Sequence, residues 1–408
     1  MSSPPTEILA PRRPAVLGGT PAFAEPLYVA RSLAPDPAAF AQRTAEIFGS
    51  RRFTNNGPFV QELESRLRQR LETGFCAAFC NGTVALQIAL RALNLKGEII
   101  TTPFTFPATV HAIEWNGLVP VFCDVDPETY NLDPQRTAEL IGDRTAGILP
   151  VHVFGNPCDV VAFQELAEGA GVRVVYDAAH AFGVRHRGRA IGMWGDLSVL
   201  SFHATKLFHS GEGGGIVGPE PAAYEGIRLL RNFGIVNADE VQGVGLNGKL
   251  SELHSAVGLG VLGLVEEEIE RRGRIDAHYR SCLGEIEGVR IQRVAPDTER
   301  NFAYFAIEID AVEFGLTRDE LHRALLAENV VARKYFHPLC SENGCYRDHP
   351  SAHPDRLPNA HRIASRILCL PIYGELEVRD AERIAELVAS IRSNADRIRG
   401  RLADTGTS

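Results

Sequence analysis

Apolar residues recur every three or four positions in some stretches of the chain and run together in short blocks in others. Behind Pro58, Val60, Leu63, Leu67 and Leu71 share one helical face, and proline suits a first helical turn. Residues 37–48 read as an earlier helix, with Asp36 as its cap and Gly49 as its stop. A third helix opens at Gly82 and Thr83 and repeats Leu86, Leu90 and Leu93. Apolar blocks then alternate with helical stretches. Strands are expected at 99–102, 119–124, 147–153, 172–176 and 196–202, and helices at 109–116, 134–141 and 160–168. Such alternation predicts an α/β fold with a mostly parallel, doubly wound sheet. From 250 to about 283 a charge-rich helical stretch links to a smaller C-terminal α+β domain, with a strand at 303–309 and helices at 317–328 and 378–399. The expected organisation is a flexible Pro- and Ala-rich arm over 1–24 and a large domain over 25–260. A small domain including the linking helix follows over 261–402, then a frayed tail over 403–408.

Composition narrows the function classes. With 408 residues, 45% of them hydrophobic and 23% charged, the chain can bury a large core. A net charge of −9 argues against nucleic acid as a partner. No apolar run approaches the ~20 residues of a membrane span. The first residues lack the basic and apolar regions of a signal peptide. Eight cysteines are scattered without a CxxC pair, which predicts free thiols in a reducing cytoplasm and neither a disulfide framework nor a metal site.

The candidate chemistry centres on lysine. Only Lys96, Lys206, Lys249 and Lys334 stand among 42 basic residues, so arginine serves wherever a plain positive charge suffices. Lys206 follows the strand at 196–202 and precedes the run Gly211-Glu212-Gly213-Gly214-Gly215. A lysine there can do what arginine cannot, which is to lose its proton and form an imine. Asp177 follows the preceding strand, and in open α/β sheets ligands bind beyond the carboxyl ends of the strands. A carboxylate and an imine-forming lysine at that edge fit pyridoxal 5'-phosphate. The carboxylate would keep the pyridine nitrogen protonated, and the lysine would carry the aldehyde carbon. Gly82 and Thr83, at a helix start, suit its phosphate.

Four separated motifs carry a resemblance to a known family. They are Asn81-Gly82-Thr83-Val84-Ala85-Leu86, Pro103-Phe104-Thr105-Phe106-Pro107-Ala108-Thr109, Asp177-Ala178-Ala179-His180-Ala181-Phe182-Gly183 and Ser201-Phe202-His203-Ala204-Thr205-Lys206. In this order they resemble the DegT/DnrJ/EryC1/StrS family of pyridoxal-phosphate-dependent aminotransferases of nucleotide-linked keto-sugars. The resemblance implies an aspartate-aminotransferase-like (fold type I) large domain and glutamate as amino donor. It makes Lys206 and Asp177 catalytic. It places Phe106 on one face of the cofactor ring, His180 near the phenolic oxygen, and Ser201 with Gly82 and Thr83 at the phosphate. Asn247, in Gly245-Leu246-Asn247-Gly248, would reach the phosphate of a neighbouring subunit, making a homodimer with two shared sites. Thr54-Asn55-Asn56-Gly57-Pro58 and Thr101-Thr102-Pro103-Phe104-Thr105-Phe106 are most similar to enzymes that aminate C4 of dTDP-4-keto-6-deoxyhexoses. C3 amination and a sugar dehydration on the same fold are the alternatives, the second disfavoured because the dehydratases carry His at the lysine position. Two stretches depart from the family pattern, Lys249-Leu250 and Leu207-Phe208-His209-Ser210. Both are expected near where substrate approaches. Arg333-Lys334-Tyr335-Phe336-His337-Pro338 resembles a small-domain segment that faces the active site.

Overall fold

The structure, a computed structural model, describes residues 13–405. Seven strands form the main sheet: β1 (Phe75–Phe79), β2 (Glu98–Thr101), β3 (Val119–Phe122), β4 (Thr145–Leu149), β5 (Arg173–Asp177), β6 (Leu197–Ser201) and β7 (Gly214–Gly218). Their order is β1-β7-β6-β5-β4-β2-β3, and β7 alone runs antiparallel to its neighbours. Side chains alternate between the two faces of a strand, and here both faces are covered. Ala77, Phe79, Val199 and Ile216 join one buried cluster with residues of α3 (Gly82–Ala92) and α4 (Pro107–Trp115). Cys76, Ala78, Leu200 and Val217 join another with residues of α2 (Pro58–Arg70) and α5 (Glu252–Leu262). The doubly wound α/β architecture is therefore as expected. A smaller antiparallel sheet, β8 (Val289–Ile291), β9 (Phe305–Ile309) and β10 (Ile367–Leu370), holds the C-terminal part. A third cluster joins the two parts, packing Phe104, Phe122 and Phe154 with Phe336, Leu339 and Ile363.

The turn before α2 is built jointly with α5. Gly57, at the N-cap, has no side chain to offer the helix. The buried carboxylate of Glu252 takes that role, accepting from Phe59 N at 3.0 Å and Val60 N at 3.2 Å. A negative group at a helix N-terminus also complements the helix dipole. A Cβ at Gly57 would lie 2.5 Å from the Glu252 carboxyl carbon, so glycine is required there.

Several boundaries differ from the sequence reading. The first helix, Pro37–Ser50, runs through Gly49 and ends at Arg51, whose φ is 54°. The stretch after 250 is two helices, α5 and α6 (Val265–Leu283), parted at Gly263 and Leu264. The C-terminal stretch likewise divides at Asn394, and its last helix, Ala395–Thr405, buries Ile398 and Leu402 in the small-domain core. Residues 403–405 are thus helical and not frayed. Residues 13–24, assigned to a flexible arm, are also held. Leu17, Ala22 and Phe23 join the small-domain core, and Glu328 accepts from Ala15 N at 2.6 Å and Ala22 N at 2.7 Å. That partner lies over 300 residues away in sequence, so no local pattern reveals it. The rest of the expected arm, and 406–408, lie outside the described residues.

Candidate active site

The carboxyl edge of the parallel strands opens into a cavity of about 300 Å³, within the usual range for small-molecule sites. Each strand that reaches it hands over a short segment. After β1 come Asn81, Gly82 and Thr83; after β2, Thr105 and Phe106; after β4, Val151; after β5, Ala179 and His180; after β6, His203, Thr205 and Lys206. Gly82, Thr83, Phe106, Asp177, His180, Ser201 and Lys206 all line this one space. Asn247 does not. It is exposed on the loop between Ala223–Arg231 and α5, where its backbone pairs with Asn232.

The start of α3 is shaped for an anion. Asn81 caps the helix by accepting from Val84 N at 2.8 Å, which leaves the Gly82 and Thr83 N–H groups for a ligand. Gly82 packs closely on β6, for a Cβ there would lie 3.4 Å from Ser201 Cβ and 3.6 Å from its Oγ. A Cβ on Gly214 would strike the Asn81 carbonyl at 2.6 Å. Glycine in β7 is what lets the helix start approach the sheet.

Asp177 lies at the end of β5 and is buried. Thr109 Oγ1 donates to its Oδ2 at 2.7 Å, and Ala179 N donates to its Oδ1 at 3.0 Å. Thr105 and Thr109, one turn apart, lie 2.8 Å from each other through their hydroxyls. Burial pushes the Asp177 carboxyl above its ordinary value, while these donors and the charge of Lys206 pull it back. Lys206 feels the opposite pressure. Burial pushes its amine down to about 8, against the pull of Asp177 and Tyr335. The amine is therefore neutral in a useful fraction near physiological pH, as an imine-forming lysine must be. His180 accepts from Phe154 N on Nδ1 at 3.2 Å, so its hydrogen sits on Nε2. Burial, aided by the Lys206 charge, holds the imidazole well below its ordinary value and keeps it neutral. Its ring stacks on Phe336, 5.9 Å away and 2° from parallel.

These properties make a measurable contrast. Ordinary lysines titrate near 10.4, and only the neutral amine attacks an electrophile. In the cofactor-free chain, labelling of Lys206 by a small acylating reagent should rise with a midpoint near pH 8. Peptide mass spectrometry reads this directly. A midpoint near 10 would contradict the burial argument.

The small domain contributes more than the sequence suggests. Tyr304, Tyr335 and Phe336 line the cavity, and Lys206 Nζ donates to Tyr304 Oη at 3.2 Å. Tyr335 and Phe336 belong to the segment already singled out. Thr109 is legible only as part of a motif, and its contact with Thr105, which precedes α4, is set by the turn into that helix. Tyr304 carries no local signal. On the rim, Glu212 lies 3.8 Å from His203. Among the described residues lining the cavity there is no arginine.

One of the two departing stretches lies elsewhere than expected. Leu207, Phe208, His209 and Ser210 are all buried. Phe208 stacks on Phe182 at 4.7 Å, and His209 Nε2 lies 2.8 Å from Leu33 O. This stretch is core, not an approach for substrate. Leu250 is buried too, while Lys249 Nζ donates to Asn232 Oδ1 at 2.9 Å and lies 4.7 Å above the Phe233 ring.

Residues 36–389 match the DegT/DnrJ/EryC1/StrS aminotransferase family. A dTDP-4-amino-4,6-dideoxy-D-glucose transaminase of Shigella dysenteriae is 40% identical over 368 residues, covering 90% of this chain and 100% of its own. A dTDP-3-amino-3,4,6-trideoxy-alpha-D-glucose transaminase of Streptomyces venezuelae is 32% identical, covering 84% and 88%. The crystal structure of DesI in the presence of its TDP-sugar product superposes with a TM-score of 0.88 at 38% identity, covering 96% of this chain and 98% of that one.

Proposed function

As a member of the DegT/DnrJ/EryC1/StrS aminotransferase family, the chain is a sugar aminotransferase, and we propose that it transfers an amino group from glutamate to C4 of a dTDP-linked 4-keto-6-deoxyhexose. The observation that carries this reading is Lys206 on the same cavity wall as Asp177, within a chain 40% identical to a C4-aminating relative. The identity to the C3-aminating relative, 32%, is lower. Incubation with glutamate and a panel of dTDP-keto-sugars, read by mass spectrometry and NMR of the product, tests it. A C4 amine is expected, and a product aminated only at C3 overturns the regiochemistry.

The residues fit pyridoxal phosphate. Gly82, Thr83 and Ser201 would hold its phosphate, Phe106 would cover one ring face, and His180 would donate from Nε2 toward the phenolic oxygen. Once bound, the cofactor supplies an aldehyde that takes up amino groups and a protonated ring that accepts electrons. Lys206 Nζ takes the proton from the donor Cα in the first half-reaction. In the second it delivers a proton to the sugar carbon that becomes the amine carbon. Asp177 holds a negative charge against the ring nitrogen throughout, and its threonine donor fixes its orientation. Arginine at 206 could do none of this, because it does not deprotonate in proteins.

Both substrates are anionic, yet the cavity wall of one chain holds no arginine among its described residues. That supports a homodimer in which the neighbouring subunit completes each site. The exposed apolar residues Phe233, Val236, Val241, Val244 and Leu246 stand beside Asn247 and suit such an interface. Asn247 of one subunit would then bond the phosphate held by Gly82, Thr83 and Ser201 of the other. Asn247→Asp, which sets a carboxylate against that phosphate, should be inactive, as should Lys206→Ala. Mixing the two under conditions of subunit exchange should restore activity, because one site of a mixed dimer carries neither defect. No recovery in a demonstrably mixed dimer would refute the shared site. The eight free thiols suit a reducing cytoplasm, where nucleotide sugars are made, and no described helix is long and apolar enough to cross a membrane.

A further inference from the structure

We propose that Tyr304 is a positioning residue for the catalytic amine, an uncharged partner from the small-domain side that holds Lys206 Nζ in the cavity through both of its protonation states. This rests on the reading of Lys206 as the catalytic lysine. The observation is the hydrogen bond of 3.2 Å from Lys206 Nζ to Tyr304 Oη. It joins residues 98 apart in sequence and lies outside the set that binds the cofactor.

Tyr304 is not placed by chance. It precedes β9, in a segment pinned to the loop after β5 by Asn301. Asn301 Nδ2 donates to His180 O at 2.8 Å and to Phe182 O at 3.0 Å, and its Oδ1 accepts from Ala303 N at 3.2 Å. A Cβ on Gly155 would lie 2.7 Å from Asn301 Oδ1, so the neighbouring backbone is also shaped around this anchor. The Tyr304 ring then packs against both rings of a stacked pair, His180 at 4.7 Å and Phe154 at 5.5 Å. Both its ring and its backbone are thus fixed, and the hydroxyl has one defined direction.

The chemistry favours a phenol. A lysine that cycles through ammonium and free amine needs a partner that accepts in one state and donates in the other, which a hydroxyl does. A carboxylate in contact would trap the proton on the amine. Burial holds the Tyr304 phenol above its ordinary value, so it stays neutral and does not drain the proton itself. A lysine side chain also carries about 2 kcal/mol of rotamer entropy, and one fixed hydrogen bond limits the positions Nζ explores.

The sign of the test follows from relative strengths. A hydrogen bond from the ammonium is charge-assisted and roughly twice as strong as one involving the neutral amine. Removing the hydroxyl therefore costs the charged form more. In the full chain freed of cofactor, Tyr304→Phe should lower the pH midpoint of Lys206 acylation by about 0.5–1 pH unit, with an unchanged melting temperature. In the loaded enzyme, kcat should fall about tenfold while the KM for the sugar stays within about twofold. A midpoint that stays put or rises overturns the proposal. So does a raised KM with unchanged kcat, since that marks a substrate contact. The labelling arm needs no sugar, so it stands apart from the choice of substrate. If the midpoint falls but no keto-sugar is aminated, the proposed reaction fails and the lysine–tyrosine coupling holds.

Discussion

Lys206→Arg folds and melts like the parent chain and loses amino transfer by roughly 10⁴-fold or more. Arginine keeps the length and the charge of the side chain, so it preserves any electrostatic role. It loses the one property the reaction needs, an amine free to give up its proton. The parent amine is pushed down to about 8 by burial, whereas a guanidinium stays protonated at every working pH. Lys206→Ala should be equally inactive, and an exogenous small amine should restore a little of its activity by supplying the missing base. Single-turnover consumption of glutamate is the measurement. If Lys206→Arg retains more than a few per cent of turnover, another residue is the base.

Asp177→Asn comes second in size. Its kcat should fall by about 10²–10³, with a much smaller loss of cofactor affinity. The carboxylate matters most when negative charge develops at the donor Cα and must pass into the ring, so its contribution is greatest in the transition state. Affinity depends also on Gly82, Thr83, Ser201 and Phe106, which the change leaves alone. Stability moves the other way. Burial raises the Asp177 carboxyl in the folded chain, so the folded form prefers it protonated, and ionisation withdraws stability as the pH rises through that raised value. Above it, the cofactor-free Asp177→Asn chain should melt no lower than the parent, since it has no buried charge to carry. Calorimetry on both cofactor-free chains, alongside turnover and cofactor titration, separates the effects. Normal turnover in the variant would remove Asp177 from the site.

Much of the site is legible along the chain because its residues follow strand ends one after another. Asp177 and Lys206 each sit just beyond an apolar block, and the alternation of blocks and helices puts those ends on one edge. Lysine scarcity marks Lys206 without any structure. What stays hidden depends on distant partners. Tyr304 and Asn301 act through contacts with β5 and β6 segments more than a hundred residues away or nearly so, and no local period signals them. β7 is hidden for another reason. Its Gly-Gly-Ile-Val-Gly sequence lacks the bulk that marks a strand, because the start of α3 needs the space that a Cβ at Gly214 would fill. Gly49 does not stop the first helix, because glycine is tolerated inside a helix, while Arg51 takes the left-handed turn. Residues 13–24 pack on the small domain without a local signal, because their few buried apolar residues, Leu17, Ala22 and Phe23, are too irregularly spaced to show it.

The burial of residues 207–210 bears on how this enzyme could be redirected by laboratory evolution. The stretch departs from the family pattern, which makes exchanging it for a relative's version the obvious first swap. Phe208 would leave its stack with Phe182, and Leu33 O would lose the His209 imidazole it faces. Such chimaeras should yield insoluble protein before they yield new products. A library seeking other sugars should keep these four residues fixed and place its diversity at His203, Thr205 and Glu212, which line the cavity from the same strand-end loops without holding the sheet together.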